Sequence, residues 1–542
     1  GATPVSAADG VIIGSVKDAA QTRSYTGAQI KLKELGLVTE AGTDGTFRFP
    51  SIPEGTYTLE ISYLGEETVT QAIKVTDNGI ARAAVEFGSG DTIDEILVRG
   101  QRSGQASAIN QQRTSDRISS IVSADAIGQF PDQNAAESLQ RLPGLSIERD
   151  QGEGRFVGIR GIDPNLNNVT INGLNIPSPE SGVRSVALDV IPSELIQTLE
   201  VSKSVTPDMD GDAIGGSVAV KSVSAFDKAR DTASVTVQAS QNDLRDETSP
   251  KLSGTFTKKL SPEWGVAGAI SYFDRDFGSD NVEAEWVNEA ESPISGDDID
   301  VNPFVEESDI RTYLVQRIRR SFSANLDYAF NPNNKVYLKT MYNWRDDREN
   351  RFRLRYRSIE PIFEDGTDIT GYQGEIRRQT KGGLDNDRNK NTRLEDQRMQ
   401  NYSLGGEHLF GNVEFDWLAS YASASEERLN ERYIEYELEE TAGGDPIPFT
   451  TDFANERFPL IVPANSSDVL LSRYSLKEIT EENQFTEEKD FNFFANFKMP
   501  LNLVNDREGF IKFGGRLRFK EKDRDNNFFE FEVPFCIFVF GL

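Results

Sequence analysis

Cysteine and histidine are nearly missing from this chain: Cys536 and His408 are the single examples of each among 542 residues. One thiol excludes an intrachain disulfide and leaves no thiolate pair for zinc. One imidazole excludes His-rich metal sites, and no Ser-His-Asp or Cys-His arrangement stands out. His408 lies on an alternating strand and reads as a surface or lumen residue. Positive charge is also scarce: 58 Lys and Arg stand against 88 Asp and Glu, a formal net charge of -30. Phosphate binding needs concentrated basic residues, so nucleic acid is excluded as a partner. No apolar run reaches the ~18 residues that a membrane-spanning helix requires. The N-terminus lacks the basic-then-apolar layout of a signal peptide, so Gly1 is expected to be a mature or expression-derived end. Low hydropathy does not exclude a β-barrel, whose strands show only every second residue to lipid.

What is present is mainly strand pattern, in several folding units. From about Val11 to Phe87, short strands are expected at Val11–Val16, Ile30–Lys33, Phe47–Phe49, Thr56–Tyr63 and Val69–Val75. Thr43-Asp44-Gly45-Thr46 and Pro53-Glu54-Gly55 supply turns. Tyr57, Leu59 and Ile61 alternate with Thr58, Glu60 and Ser62, the mark of one buried face. The size and pattern predict a small β-sandwich over residues 1–88.

Residues 89–117 are rich in Gly, Ser, Gln and Arg and read as a flexible linker. Inside it, Thr92, Ile93, Asp94, Glu95, Ile96, Leu97 and Val98 are unusually β-prone. An extended, partly apolar segment suits strand addition to another protein's sheet edge, or the last strand of the preceding sandwich.

Residues 118–225 read as a compact α/β unit. Ser123 is placed to cap a short helix, and a second helix from about Gln133 to Leu142 stops at Pro143-Gly144. Strands are expected at Arg155–Arg160, Val169–Ile171, Thr198–Ser202 and Ser217–Lys221, with turns at Gly173 and Gly215-Gly216. From 226 to 542 the pattern changes to paired strands of about ten residues. Phe322, Ala324, Leu326, Tyr328 and Phe330 alternate with Ser321, Ser323, Asn325 and Asp327. After a turn at Asn331–Asn334, Val336, Leu338, Thr340, Tyr342 and Trp344 continue the alternation. Hairpins recur at Tyr402–Phe410 with Val413–Tyr421, and at Phe491–Met499 with Ile511–Phe519. Soluble strands average about five or six residues, whereas about 9–11 cross a membrane when tilted. Arg345–Met399 and Ser423–Lys489 read as long charged loops opposite short turns, a transmembrane-barrel pattern. Aromatic residues at strand ends fit an interfacial girdle.

Several apparent sites do not hold up. Asp208, Asp210 and Asp212 have the opening spacing of an EF-hand, but Ala213 replaces the required Gly and Ala219 the twelfth-position Glu, leaving a polar turn. Gly152, Gly154 and Gly158 do not match the dinucleotide fingerprint. Carboxylate pairs are plentiful in an acidic chain and none has supporting spacing. Neither an enzyme nor a cofactor is expected.

Phe130 to Ser222 closely resembles the plug of TonB-dependent receptors, especially the subgroup of Caulobacter- and Xanthomonas-type bacteria. The motifs that agree, in order, are Leu142-Pro143-Gly144, Ile159-Arg160-Gly161, Ile171-Asn172-Gly173, Ile191-Pro192, Leu199-Glu200-Val201 and Ala213-Ile214-Gly215-Gly216. The run TDGTFRFPSIPEGTYTLEISYLG resembles the carboxypeptidase-regulatory, transthyretin-like module. The resemblance implies a mainly β protein: N-terminal β-sandwich, α/β plug and a partial transmembrane antiparallel β-barrel. It implies that residues 92–98 are the TonB box, which pairs as an added strand with TonB and its inner-membrane energising complex. It implies an outer-membrane location in a Gram-negative cell, contact with outer-membrane lipid, and an N-terminal domain in the periplasm. It also implies uptake of a scarce nutrient, with an oligosaccharide favoured and a ferric siderophore as the alternative. A surface lipoprotein is a further partner to consider, and a non-transporting adhesion protein a different class of reading. Plug loops facing the ligand would include Asp163, Asn165, Asn167, Ser178, Glu180 and Arg184. One feature departs from the family. About nine or ten strands can be counted, whereas plugged transporters have about 22. The barrel is therefore expected to be incomplete, and the tail PFCIFVFGL to lie outside native barrel sequence.

Overall fold

The computed structural model describes residues 10–19, 23–42, 44–77, 79–88, 99–115, 117–123, 134–228, 230–331, 333–364, 366, 368–382, 393–411, 413–501 and 510–531. The segment 92–98, the cysteine and the tail 532–542 lie outside these residues, as does the helix expected after Ser123.

The N-terminal strands are β1 (Gly10–Asp18), β2 (Gln29–Leu32), β3 (Leu37–Glu40), β4 (Thr46–Ile52), β5 (Gly55–Ser62), β6 (Val69–Val75) and β7 (Ile80–Phe87). They form a three-stranded sheet, β4-β1-β7, and a four-stranded sheet, β3-β2-β5-β6. Alternation along β1 and β5 buries Ile12, Val16, Leu59 and Ile61 in one shared core with Phe47, Phe49 and Phe87. This is the sandwich that the pattern predicts. Gly45, at φ 79, makes the turn before β4.

The stretch read as a flexible linker contains a helix, α1 (Arg99–Thr114). Its Gln, Arg and Ala are good helix formers, and docking supplies what an isolated helix of this length lacks. Ala106 packs against the sandwich core, and Gln112 Nε2 donates to the Ile121 carbonyl at 3.2 Å.

The central unit places β8 (Ser119–Ser123), β11 (Asn167–Ile171), β12 (Leu174–Asn175), β13 (Ile196–Ser202) and β14 (Gly216–Ser222) in one sheet, ordered β12-β11-β14-β13-β8. β9 (Leu145–Asp150) and β10 (Glu153–Ile159) form a hairpin beside it. Helix α2 (Ala135–Leu139) is shorter than expected; Asn134 caps it by accepting from Glu137 N. Ser123 ends β8, paired with Thr198.

From Thr232 onward one 12-stranded sheet wraps this unit. β15 (Thr232–Asn242), β16 (Glu247–Lys259), β17 (Trp264–Glu291), β18 (Asp298–Asn331), β19 (Asn334–Glu364), β21 (Arg393–Phe410), β22 (Val413–Leu438), β25 (Ser475–Pro500) and β26 (Phe510–Phe531) follow one another as antiparallel neighbours. β15 and β26 are its edges and do not pair with each other, so among the described residues the sheet is open.

Side-chain direction decides what this sheet is. Phe322 is 50% exposed while Ser323 is 3% and Asn325 4% exposed. Apolar side chains face outward and polar ones inward, the reverse of a soluble sandwich and the arrangement of a transmembrane barrel. The register pairs Phe322 with Tyr342 and Ser321 with Asn343, which keeps the two faces separate across strands.

The expected ten-residue strands and long charged loops require correction. β18 runs for 34 residues and β19 for 31. Most of Arg345–Met399 and Ser423–Lys489 is strand, because its charged residues alternate in period two and pair across the inner face. β20 (Asp368–Lys381) takes the place of β21 between the distal parts of β19 and β22. With β23 (Ile447–Asp452) and β24 (Leu460–Pro463) it builds a separate core from Val305, Tyr356, Ile359, Ile376, Leu438 and Phe449.

Candidate functional site at the plug–wall interface

The inner wall meets the central unit through buried ions. Glu153, at the start of β10, is held by Arg317 Nη1 at 2.6 Å and by Arg275 and Arg319. Burial alone would raise this carboxyl, but the guanidinium groups of Arg319, Arg317 and Arg275 hold it well below the usual carboxylate range. Arg155, two residues along the same strand, donates to Asp150 and Glu180 at 2.6 Å and lies 3.8 Å from Glu395 of the wall. Burial disfavours its charge, yet Asp189, Glu180, Glu395 and Asp150 hold it firmly protonated. Asp189 extends the network to Arg345 at 3.4 Å, and Arg345 Nη2 donates to Asp347 at 2.8 Å. A buried ion of this kind is tolerated only when paired on several sides.

Below this band the contact is apolar and small. Ala269, Met341 and Met399 of the wall join the core of Ile159, Ile171, Leu188, Leu199 and Val220. A second polar contact comes from the acidic turn. Asp208 accepts from Lys512 at 2.7 Å, Asp210 from Arg516 at 3.1 Å, and Asp212 lies 3.5 Å from Arg518. The failed EF-hand is thus a clasp on β26.

The loop residues singled out in the sequence are drawn partly together. Asn165 Oδ1 accepts from the backbone N–H groups of Arg184 at 2.9 Å and Ser185 at 3.1 Å. Ser178 Oγ donates to the Ser185 carbonyl at 3.0 Å. Asp163 caps a short turn through Asn165 N, and Asn167 Nδ2 donates to the Val157 carbonyl at 2.9 Å. Arg184 pairs with Asp212 at 3.1 Å. Glu180 lies apart from this group, on Arg155. The sequence reading missed Glu153, Arg155 and Asp189 and their wall partners. The period-two row Val315, Arg317, Arg319, Ser321, on the same face as Ser323 and Asn325, was the signal that could have found them.

Residues 110–217 match the family described as the TonB-dependent Receptor Plug Domain, and residues 12–98 match the CarboxypepD_reg-like domain. The chain thus carries a plug unit of the TonB-dependent receptor type behind a regulatory-like sandwich. It is mainly β, and the plug unit rests on the inner face of the open, barrel-like sheet. The regulatory-domain match extends to residue 98 and so includes the segment 92–98. No curated protein matches the sequence. Among solved structures the receptor is similar in shape to the ferric preacinetobactin receptor of Acinetobacter baumannii, at 12% identity and a TM-score of 0.31, covering 74% of this chain and 61% of that one. The closed form of the ferric-catecholate import receptor Fiu of E. coli gives 11% identity and a TM-score of 0.33, covering 76% and 63%. The siderophore receptor PirA of A. baumannii gives 10% and 0.29, covering 77% and 79%. The chain therefore spans 61% of the length of the first of these receptors.

Proposed function

We propose that the intact protein is an active importer of the outer membrane. A nutrient binds above the plug, and TonB, energised by the proton gradient, engages residues 92–98 from the periplasm. The observation that carries this reading is the plug's attachment to the wall: a folded unit held inside a barrel by ion pairs must be shifted before anything passes. The domain division follows the same reading, with residues 1–88 as the periplasmic sandwich, 89–117 as the coupling segment with its helix, 118–225 as the plug and 226–542 as barrel. Asp163, Asn165, Asn167, Ser178, Glu180 and Arg184 remain the plug residues proposed to face the ligand.

An oligosaccharide is the proposed cargo, ahead of a ferric siderophore. Cations of the distal strands each face a carboxylate. Arg311 faces Asp309 at 2.5 Å, Arg355 faces Asp309 at 2.7 Å, Arg377 faces Glu435 at 3.2 Å and Lys381 faces Glu431 at 3.1 Å. Recruiting an anionic iron complex calls for surplus positive charge, whereas a neutral, hydroxyl-rich ligand is met by hydrogen bonds alone. A surface lipoprotein remains a partner to test for. Uptake of labelled oligosaccharide and labelled ferric siderophore by cells bearing the full-length receptor, with the proton gradient intact or collapsed, tests the reading. Gradient-dependent sugar uptake is expected. Surface binding without gradient-dependent uptake of either ligand would favour the adhesion alternative.

A further inference from the structure

The sandwich holds both ends of the segment that precedes the plug. At one end, β7 closes with Phe87, whose ring packs on Tyr25 at 4.8 Å and Tyr63 at 6.3 Å between centroids. Only residues 88–98 separate Phe87 from α1. The helix then returns to the same aromatic cluster. Ser107 Oγ donates to the Thr26 carbonyl at 3.4 Å, and Ala106 packs against the core that contains Tyr25, Tyr63 and Phe87. Gly27, at φ +75, has its backbone so close to the helix that a Cβ there would come within 2.8 Å of Gln111 N. The sandwich is itself tied to the barrel. Arg48 donates to Asn333 Oδ1 at 3.1 Å and to the Gly411 carbonyl at 3.2 Å, at the turns that follow β18 and β21.

We infer that the sandwich acts as a clutch on the plug. A pull on the chain between Gly88 and Arg99 loads two points of one body: the end of β7 and the seat of α1. The load divides between the sandwich, with Arg48 and the barrel turns behind it, and α1, whose Gln112 bonds Ile121 of the plug. The plug takes its full share only after α1 lifts off the sandwich. The first element to yield is therefore the contact of Ala106, Ser107 and Asn110 with Tyr63, Thr26 and Gly27. β8, the edge strand of the plug sheet that follows α1, is loaded next. The inference rests on the proposal that residues 92–98 receive the pull, but the mechanical order can be measured without it.

The test uses the full-length receptor in lipid nanodiscs with Thr92→Cys as its one cysteine, attached covalently to a magnetic-tweezers handle. A short first extension is expected ahead of any plug event. Ala106→Arg should abolish that first extension, and Ser107→Ala, which removes the bond to the Thr26 carbonyl, should shift it to lower force. The force of the plug event should stay unchanged in both. Identical traces in the three proteins, or a plug event that comes first, would overturn the clutch. Because the handle is covalent, a trace as expected alongside normal import by Ile96→Pro would remove the coupling role of 92–98 and leave the clutch standing. The reverse pair of results would remove the clutch alone.

Discussion

Glu153 of the plug and Arg317 of the barrel wall meet at 2.6 Å, and both are almost fully buried. Arg275 and Arg319 share the same carboxylate, so one plug residue bridges three wall cations. Removing one partner of a buried ion pair leaves an uncompensated charge and costs about 3–5 kcal/mol. Glu153→Gln should therefore lower the stability of the plug–barrel unit by roughly that amount. Urea unfolding of the full-length receptor in detergent is the measurement. A change within error would mean that the three arginines find other counter-charges.

The two faces of β18 give a prediction of topology. Leu326 points outward with Phe322, and Asn325 inward with Ser323. Spin labels at 326 and 325 in the full-length receptor should differ, the first accessible to an apolar quencher and the second, packed against Ser222 and Val223, shielded from it. Equal accessibility would be incompatible with the register that pairs Leu326 with Leu338 and Asn325 with Lys339.

The clasp on β26 should open in acid. Burial raises Asp208, but hydrogen bonds from Lys512 and Thr206 outweigh it and lower its pKa to about 2 from the usual 3.8. A depressed carboxylate stabilises the fold above its unfolded value, and that stability is lost as pH falls through the folded one. The loss is expected between about pH 4 and pH 2. Hydrogen exchange of residues 206–212 should rise over that window in the wild type. Asp208→Asn should exchange fast at every pH.

How much of this could be read from the sequence depends on how local the signal was. The sandwich was legible because residues such as Leu59 and Ile61 alternate with polar ones over a full strand. The outward face of β18 was legible for the same reason. The length of the strands was not, because Arg345, Asp347 and Glu349 look like loop residues until their partners Asp189, Arg317 and Arg393 are known, and those lie far away in the chain. Helix α1 was missed for a related reason. Its sequence is polar enough to be a linker, and its reason for being ordered is Tyr63, 36 or more residues upstream in the sandwich. Ion pairs and docked helices are decided by distant partners, and a one-chain pattern carries no record of them.

Surface cleavage tests the corrected view of the long segments. With Arg353 and Arg355 paired in a strand and Arg457 exposed in the connection between β23 and β24, trypsin on intact cells should cut after Arg457 well before either strand arginine. Cleavage first at Arg353 or Arg355 would restore the reading of this region as loop.

Energy coupling provides the test that separates a transporter from a passive binder. Strand addition rests on backbone hydrogen bonds, so one side chain can be changed at little cost, whereas proline removes a donor and fixes φ. Ile96→Pro in the full-length receptor is expected to leave surface binding of the ligand within a few-fold of wild type. The proposed ligand site lies above the plug, on the side opposite this segment. Uptake should nevertheless fall to the level measured in cells without TonB. Alanine at Thr92, at the edge of the segment, should have a milder effect. The regulatory-domain match also runs to residue 98, so the competing assignment is a last strand of the sandwich. Ile96→Pro would then destabilise the sandwich and lower its melting temperature while import continued. Measuring melting and uptake on the same variant distinguishes the two, since a coupling strand loses uptake with the sandwich intact.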